Sequence, residues 1–186
     1  MDKIAAVILS GGKSSRMGKD KATVTFKGAT LLNHCQNILK STPVDDIFIS
    51  GKNGIPDQVK NLGPIGGVSS CLEHLKAYKL VLFTPVDMPL LTADIYNYLI
   101  IQPIKNMACF KGFHLPFIIK NNKEIRLKIN NMIDSKQLAI HQLIARLDAD
   151  EIETGEIEIF EENQFININN PKQLKRANSQ NLICKL

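Results

Sequence analysis

The chain has 186 residues, of which 44% are hydrophobic and 22% are charged, so it is long enough to bury the core of one α/β domain. Its formal net charge of +5 suits anionic ligands such as phosphates, but tryptophan is absent and no basic run carries interleaved aromatic residues, which argues against a nucleic-acid partner. No stretch approaches the roughly 18 apolar residues that span a bilayer, and the apolar run at residues 4–9 is too short for a signal peptide. We therefore expect a cytoplasmic protein with no membrane partner.

Short apolar runs alternate with segments of helical periodicity through the first half of the chain. Residues 4–9 form a continuous apolar run that stops at Ser10-Gly11-Gly12, which is typical of a buried parallel strand followed by a glycine loop. The further elements predicted here are strands at 46–50 and 80–84, helices at 31–39, 66–79 and 93–101, and a loop at 51–63. This alternation predicts a Rossmann-like, doubly wound, mainly parallel α/β sheet.

The second half of the chain is less regular. The elements predicted here are strands at 107–110, 117–119, 156–160 and 165–168, and helices at 124–134, 138–146 and 171–177, the last beginning with proline. No repeat or linker interrupts the sequence, so we expect a single domain over residues 1–186. The four cysteines, Cys35, Cys71, Cys109 and Cys184, form no CxxC pair and are expected to be buried free thiols.

A glycine-rich, basic loop follows the first predicted strand, where residues 10–21 read S-G-G-K-S-S-R-M-G-K-D-K. Glycines at this position let the backbone approach a ligand closely and turn N–H groups toward phosphate oxygens. Arg16 and Lys21 add positive charge for a triphosphate. The spacing matches neither the dinucleotide fingerprint nor the P-loop, and a basic surface turn is the alternative. The pattern favours a nucleotide-phosphate loop of another kind.

A single aspartate stands between two prolines at the end of the third predicted strand, where residues 85–89 read P-V-D-M-P. Ligands of open α/β sheets bind at the carboxyl ends of the strands. Mg²⁺ is usually held by one or two carboxylates together with phosphate oxygens. Asp87 is alternatively a cap of the helix that follows. Its position opposite the glycine loop favours a magnesium ligand.

Four motifs, in order, resemble those of the molybdenum cofactor guanylyltransferases, the MobA family within the nucleotidyltransferases. That family reads LAGGxSxRMGxDK, GPLAG, P[CV]DMP and NxNxPxxL, and the corresponding segments are residues 9–21, 63–67, 85–89 and 167–174. The resemblance spans nearly the whole chain. It implies a fold of the nucleotide-diphospho-sugar transferase type, with a nucleotide half at about 1–105 and an acceptor half at about 106–186.

The resemblance also implies roles for individual residues. The implied nucleotide contacts are Leu9, Ser10, Gly11, Gly12, Lys21, Ser50, Asp57 and Asp87. The implied acceptor contacts are Asn167, Asn169 and His114. The implied catalytic residues are Arg16, Lys21 and Asp87, and Asp87 is also the implied ligand of Mg²⁺.

Several of these positions keep an alternative. Ser10 replaces the usual alanine, and Ser50 stands where the family often has asparagine. Asp57 follows a short segment and is alternatively a solvated loop carboxylate. His114 is alternatively a histidine buried in a turn, and the asparagines before Pro171 are alternatively helix caps.

The reaction that the resemblance implies is attack of a molybdopterin phosphate on the α-phosphorus of GTP, with pyrophosphate leaving. Positioning and charge neutralisation dominate such chemistry, so no catalytic His or Cys is needed. The implied partners are GTP and a molybdopterin cofactor that is handed over by cofactor-synthesis or molybdoenzyme-maturation proteins. Two alternatives stay open: a cytidylyl- or other nucleotidyltransferase with a small phosphorylated acceptor, and a non-catalytic GTP-binding protein of the same fold.

Overall fold

A six-stranded sheet runs through the centre of the protein. The computed structural model describes residues 2–10, 21–51, 54–57, 62–155 and 157–179. The strands are β1 (Ile4–Leu9), β2 (Thr25–Phe26), β3 (Ala29–Thr30), β4 (Asp46–Ser50), β5 (Leu80–Pro85), β6 (Met107–Phe110), β7 (Phe117–Lys120) and β8 (Asp150–Ile152). The helices are α1 (Leu31–Leu39), α2 (Gly63–His74), α3 (Ala93–Ile100), α4 (Lys123–Asp134), α5 (Ile140–Leu147) and α6 (Pro171–Ser179), with 3₁₀ helices at Lys21–Thr23 and Glu162–Phe165.

The strand order of the sheet is β4-β1-β5-β7-β6-β8, and only β7 runs antiparallel to its neighbours. The predicted doubly wound, mainly parallel architecture is therefore confirmed. Strands β1 and β5 lie in the middle of the helix-covered part of the sheet, which explains why both are continuous apolar runs. Their carboxyl ends are adjacent, because Leu9 pairs with Pro85.

Helices cover both faces of the sheet. On one face, α1, α3 and α6 pack on side chains that include Ala6, Ile8 and Leu82. On the other face, α2, α4 and α5 pack on side chains that include Val7 and Phe83. The two faces alternate along each strand, as the period of two requires. Both apolar clusters are therefore closed against solvent by helices.

A buried asparagine fixes the end of α2. The Asn121 side-chain nitrogen donates hydrogen bonds to the carbonyl oxygens of Leu72 and Leu75, at 3.1 and 2.8 Å. Its side-chain oxygen accepts a hydrogen bond from Arg126 at 2.8 Å. The bond to Leu72 satisfies a carbonyl group that the end of the helix leaves without an intrahelical partner, and the bond to Leu75 adds to the one from the N–H of Tyr78.

Most predicted elements have nearly the predicted bounds, with differences at α2. The helix begins at Gly63 and ends at His74, whereas the prediction placed it at residues 66–79. Pro64 lies in its first turn, where the missing N–H costs nothing, so the helix can begin at Gly63, ahead of the predicted start. The hairpin of β2 and β3 was not predicted, because each of its strands has only two residues.

The two strands predicted at 156–160 and 165–168 are wrong. Residues 157–168 contain the 3₁₀ helix Glu162–Phe165 and no strand, whereas β8, at Asp150–Ile152, was not predicted. The apolar residues of this segment pack as an aromatic cluster: the ring centroids of Phe160 and Phe165 lie 4.9 Å apart, and Phe165 lies 4.3 Å from Phe113. The alternation of apolar and polar residues in this segment therefore reflects burial against the face of the sheet. It does not reflect hydrogen bonding to a neighbouring strand.

Cys35, Cys71 and Cys109 are free and buried, as predicted. Cys184 lies outside the described residues. Within the described part of the chain, no helix is both long enough and apolar enough to cross a membrane.

Candidate functional site

Residues that follow neighbouring strands meet at the carboxyl edge of the sheet. The backbone N–H of Val86 donates to the carbonyl oxygen of Leu9 at 3.2 Å, which brings the segment after β5 against the end of β1. Ser10 follows β1 directly, and its hydroxyl donates to the carbonyl oxygen of Ser50 at 2.6 Å. The ends of β4, β1 and β5 therefore form one ledge, which carries the predicted residues Leu9, Ser10 and Ser50.

The central feature of this ledge is a lysine held between a carboxylate and an amide. Lys21 Nζ donates a hydrogen bond to Asp87 Oδ2 and another to Asn169 Oδ1, each at 2.6 Å. The pair is partly shielded from solvent, with side-chain exposures of 22% for Lys21 and 16% for Asp87. Two oxygen atoms from distant segments thus converge on one cationic centre. The structure brings together three residues that the sequence predicted separately.

The loop that carries Asp87 is fixed by neighbouring elements. The backbone N–H of Ile168 donates to the Asp87 carbonyl oxygen at 2.7 Å, which ties the segment before α6 to this loop. His34 Nε2 lies 2.8 Å from the carbonyl oxygen of Pro89, and burial lowers the pKa of His34, so a neutral ring can donate here. At the end of β5, the hydroxyls of Thr84 and Tyr96 are 2.7 Å apart in the core. Asp87 is therefore held in a preset position.

Asp57 lies at the amino-terminal part of α2. An ideal Cβ added to Gly67 would meet Asp57 Oδ1 at 3.3 Å, so the carboxylate lies against this part of the helix. Burial raises the pKa of the Cys71 thiol to about 12, and the nearby charge of Asp57 adds to the rise. The Asp57 residue is otherwise exposed. The contact of Asp57 with a nucleoside stays a prediction.

Backbone hydrogen bonds hold the residues just ahead of Asp57 against the end of β4. The N–H of Ile55 donates to the carbonyl oxygen of Ile49 at 2.7 Å, and the N–H of Gly51 donates to that of Ile55 at 2.8 Å. A Cβ on Gly54 would lie 1.9 Å from the Ile49 carbonyl oxygen, so only glycine fits there. Ser50, the last residue of β4, is 3% exposed. Its carbonyl orients Ser10, and its contact with a nucleoside stays a prediction.

The asparagines before α6 have different surroundings. Asn169 donates its backbone N–H to Gln173 Oε1 at 2.8 Å, while its side chain accepts from Lys21. Asn170 Oδ1 accepts the backbone N–H of Gln173 at 2.9 Å, which is the geometry of a helix cap. Asn167 is partly buried. The cap alternative therefore applies to Asn170, and Asn169 belongs to the site.

His114 lies at the same edge of the sheet, on the side of β6 and β7. Its ring centroid is 5.9 Å from that of His141, and both residues line a cavity of about 340 Å³. His114 is exposed, so the alternative of a histidine buried in a turn is wrong. His141, Asp148 and Glu151 also line the cavity and were not predicted. The pairing of β6 with β8 places Glu151 there, whereas His141 lies on α5 and Asp148 at its end, and no motif in the sequence signals that they meet.

Three predicted residues of the glycine-rich loop, Gly11, Gly12 and Arg16, lie outside the described residues. Leu9 lies within β1, and the ledge begins where that strand ends. Among the described residues, no group of three or more His, Cys, Asp or Glu side chains is arranged to hold a metal ion.

The sheet has the fold of the α/β nucleotidyltransferases. The chain resembles the solved structure of molybdopterin-guanine dinucleotide biosynthesis protein A from Archaeoglobus fulgidus, with a TM-score of 0.73, 19% identity and coverage of 94% of this chain and 96% of that one. It also resembles 4-diphosphocytidyl-2C-methyl-D-erythritolsynthase from Anaerococcus prevotii, with a TM-score of 0.68, 14% identity and 95% coverage of both chains. At these identities the two structures establish the fold.

The chain belongs to the MobA-like NTP transferase domain family, whose model matches residues 6–110. It is 28% identical over 179 residues to the molybdenum cofactor guanylyltransferase of Xanthomonas euvesicatoria. This match covers 94% of this chain and 94% of the relative. It is 25% identical over 204 residues to a probable molybdenum cofactor guanylyltransferase of Bacillus cytotoxicus, covering 100% of this chain and 99% of the relative. The matched region contains the ends of β1, β4 and β5, and therefore the ledge with Lys21 and Asp87.

Proposed function

We propose that this protein transfers GMP from GTP to the phosphate of a molybdopterin acceptor and releases pyrophosphate. The observation that carries the proposal is the convergence of Asp87 and Asn169 on Lys21 at the carboxyl edge of the sheet. The names of its full-length relatives, molybdenum cofactor guanylyltransferases, support the choice of substrates. Because Lys21 and Asp87 are both present and in contact, an active enzyme is favoured over a non-catalytic GTP-binding protein.

In the proposed reaction, an oxygen of the acceptor phosphate forms a bond to the α-phosphorus of GTP. The bond between that phosphorus and the oxygen bridging to the β-phosphate breaks, and pyrophosphate carries away the electron pair. The acceptor phosphate is ionised at neutral pH, so no general base is required. Lys21 offsets negative charge on the phosphates, in the ground state and as charge grows on the leaving group. Arg16 is proposed to add positive charge on the same side.

Mg²⁺ is the proposed metal, with Asp87 as its ligand from the protein. The donor set fits, because one carboxylate and one amide oxygen already converge on a single cationic centre, the Lys21 ammonium. A magnesium ion commonly takes only one or two carboxylates and completes its shell with phosphate oxygens and water. When bound, it would supply positive charge that offsets the negative charge of the phosphates. The rigid loop around Asp87 would hold the carboxylate ready for it.

The two substrates are proposed to divide the edge of the sheet. The nucleotide would bind at the ends of β4, β1 and β5, where Leu9, Ser10, Ser50 and Asp57 lie, with the glycines that follow Ser10. The acceptor would bind toward β7, β6 and the segment before α6, where Asn167, Asn169 and His114 lie. Because Asn169 accepts a hydrogen bond from Lys21, it would lie where the two parts meet. Proteins of cofactor synthesis or molybdoenzyme maturation would deliver the acceptor.

The test is release of pyrophosphate from each of the four NTPs, with and without molybdopterin. We expect release from GTP only, and only with both Mg²⁺ and the acceptor. Release of pyrophosphate from CTP in place of GTP would indicate that the protein is a cytidylyltransferase. Tight GTP binding without release under any of these conditions would contradict an enzymatic role.

A further inference from the structure

The imidazole ring of His34 lies between the two segments that carry Lys21 and Asp87, although the proposed reaction does not use it. His34 is on α1 and is partly buried. Its Nε2 atom is 2.8 Å from the carbonyl oxygen of Pro89, two residues after Asp87. Its ring centroid is 4.9 Å from that of Phe26 on β2, at an interplanar angle of 74°. One side chain therefore contacts the segment that follows each of the two charged residues.

The hydrogen bond from His34 to Pro89 has a defined direction. A carbonyl oxygen only accepts, so the imidazole Nε2 carries the hydrogen and donates it. Burial lowers the pKa of His34, and the nearby charge of Lys27 lowers it further, which favours the neutral ring at pH 7. Pro89 is buried, and a buried carbonyl that loses a donor is costly. A side chain that cannot donate would therefore disturb the loop at this point.

Three hydrogen bonds hold the loop that carries Asp87 against its surroundings. The N–H group of Val86 and the carbonyl oxygen of Asp87 are bonded to the backbone of other segments, at 3.2 and 2.7 Å. The third is the bond from His34 to Pro89, and of the three it is the one that a side chain makes. A substitution of His34 therefore removes one of these anchors and leaves the other two in place.

Helix α1, which carries His34, is also bonded to the segment of Lys21. The N–H of Leu31, the first residue of α1, donates to the carbonyl oxygen of Val24 at 2.8 Å, and the N–H of Val24 donates to that of Lys21 at 3.1 Å. Leu31 and His34 are three residues apart and so lie on the same side of the helix. The helix thus connects the backbone of Lys21 with the loop of Asp87, whose charged groups meet at 2.6 Å.

We infer that His34 is a positioning residue, whose hydrogen bond to Pro89 sets the Asp87 carboxylate in its place beside Lys21. The inference rests on the proposed function, because the position of the carboxylate matters most if Asp87 holds the metal of the nucleotide. His34 acts through the loop and takes no part in the chemical step. Its effect can still be large, since a small displacement of a group that acts on the reacting atoms slows a reaction strongly.

A matched pair of substitutions separates positioning from packing. His34→Gln keeps a side-chain N–H donor but removes the ring that contacts Phe26, whereas His34→Phe keeps a ring and removes the donor. His74→Gln and His74→Phe, at an exposed position at the end of α2, are the controls. The measurements are kcat for pyrophosphate release, the thermal midpoint, and the calorimetric Kd for GTP with and without Mg²⁺.

We expect kcat of His34→Phe to fall by about tenfold or more, because the carboxylate is no longer held in position. The factor by which Mg²⁺ tightens GTP binding should also shrink by about tenfold, while the Kd for GTP without Mg²⁺ stays unchanged. His34→Gln should keep both kcat and the Mg²⁺ effect close to the wild type, even where its thermal midpoint is the lower of the two. The His74 variants should behave as the wild type.

The opposite order would overturn the inference. If His34→Phe is as active as the wild type and His34→Gln is the impaired variant, the ring serves packing and the hydrogen bond positions nothing. Equal losses of kcat in both variants would overturn it as well, because the donor would then not be the feature that matters.

The Mg²⁺ effect on GTP binding separates this inference from the proposed function. If His34→Phe loses that effect but the wild type transfers no nucleotide to molybdopterin, the positioning role stands and the proposed transfer fails. If the wild type transfers GMP and all four variants equal it in kcat and in the Mg²⁺ effect, the proposed function stands and the role of His34 fails.

Discussion

Lys21 and Asp87 are 66 residues apart in the sequence, and their charged groups are in direct contact at 2.6 Å. The contact is possible because the 3₁₀ helix at Lys21–Thr23 and the loop after β5 both lie at the carboxyl edge of the sheet. Both residues are partly shielded from water, so their attraction is screened less than that of an exposed pair. The lysine therefore balances the charge of a carboxylate that is proposed to bind Mg²⁺.

Replacement of Asp87 by asparagine should remove activity and preserve the fold. The amide has nearly the same size as the carboxylate but lacks the charge that a metal requires. We expect kcat for pyrophosphate release to fall by about 100-fold or more, as with the loss of one group that stabilises the transition state. The measurement is a titration of activity with Mg²⁺, together with a circular dichroism spectrum. Asp94→Asn, at an exposed position in the first turn of α3, should behave as the wild type.

A double-mutant cycle on Lys21 and Asn169 should show that the two residues act together. Lys21→Ala removes the proposed phosphate contact, so kcat/KM for GTP should fall by about 100-fold or more. Asn169→Ala removes an acceptor that orients the ammonium, and the fall should be about tenfold. In the double variant, the asparagine change should have little further effect, because its partner is already absent.

Additive losses in this cycle would mean that Asn169 acts independently of Lys21. The control is Lys19→Ala, a neighbouring position in the sequence with the same charge, which should be close to the wild type. An equal loss from Lys19→Ala and Lys21→Ala would show that the register assigned to the loop is wrong.

The parts of the fold that follow from local pattern were predicted from the sequence. β1 and β4 have the predicted bounds, since each is an apolar run that ends at a small or polar residue. The strands predicted around Phe160 and Phe165 failed for a physical reason. Burial gives these phenylalanines a strand-like alternation, but their neighbours are other aromatic rings and the sheet face.

Individual residues of the site could be predicted from the sequence, but only some of their contacts could. Lys21 and Asp87 each stand in a motif, and their meeting was expected from the carboxyl edge of a parallel sheet. The contact between Lys21 and Asn169 joins residues 148 positions apart, and no periodicity links them. The cavity beside β6 was beyond prediction, because Glu151 reaches it through the pairing of β6 with β8. Strand β8 is too short to leave a clear hydrophobic pattern in the sequence.

The buried cysteines should resist alkylation while the protein is folded. Burial raises the pKa of Cys35 and of Cys71 to about 12, and that of Cys109 to about 11. The thiolate is the reactive form, and it becomes abundant only when the pH approaches the pKa, so very little is present at pH 8. We expect iodoacetamide to label these three positions at least about 100-fold more slowly in the native protein than in denaturant. Mass spectrometry of peptides measures each position separately.

Rapid labelling of any of these cysteines in the folded protein would contradict the burial of its side chain. The same sample in denaturant is the control, because it exposes each thiol to the same reagent. Labelling confined to Cys71 would locate the disagreement at α2, whereas labelling of Cys35 would locate it at α1.

Asn121 should matter for stability and not for activity. In Asn121→Leu, the carbonyl group of Leu72 loses its side-chain donor, that of Leu75 keeps only the N–H of Tyr78, and Arg126 loses an acceptor. We expect the free energy of unfolding to fall by about 2 kcal/mol, with KM for GTP unchanged. Urea unfolding measures the first quantity and pyrophosphate release the second. Asn131→Leu, at an exposed position of α4, should change stability by less than about 0.5 kcal/mol.

Asn167 and Asn170 should separate acceptor binding from helix capping. Asn170 accepts the backbone N–H of Gln173, so Asn170→Ala should lower the free energy of unfolding by about 1 kcal/mol and leave the kinetics normal. Asn167 lies one residue before Ile168, whose backbone is bonded to the Asp87 carbonyl, and its amide can both donate and accept toward the proposed acceptor. Asn167→Ala should therefore raise the KM for molybdopterin while GTP affinity, measured by calorimetry, stays unchanged. A lower thermal midpoint with normal acceptor kinetics in Asn167→Ala would make it a structural residue like Asn170.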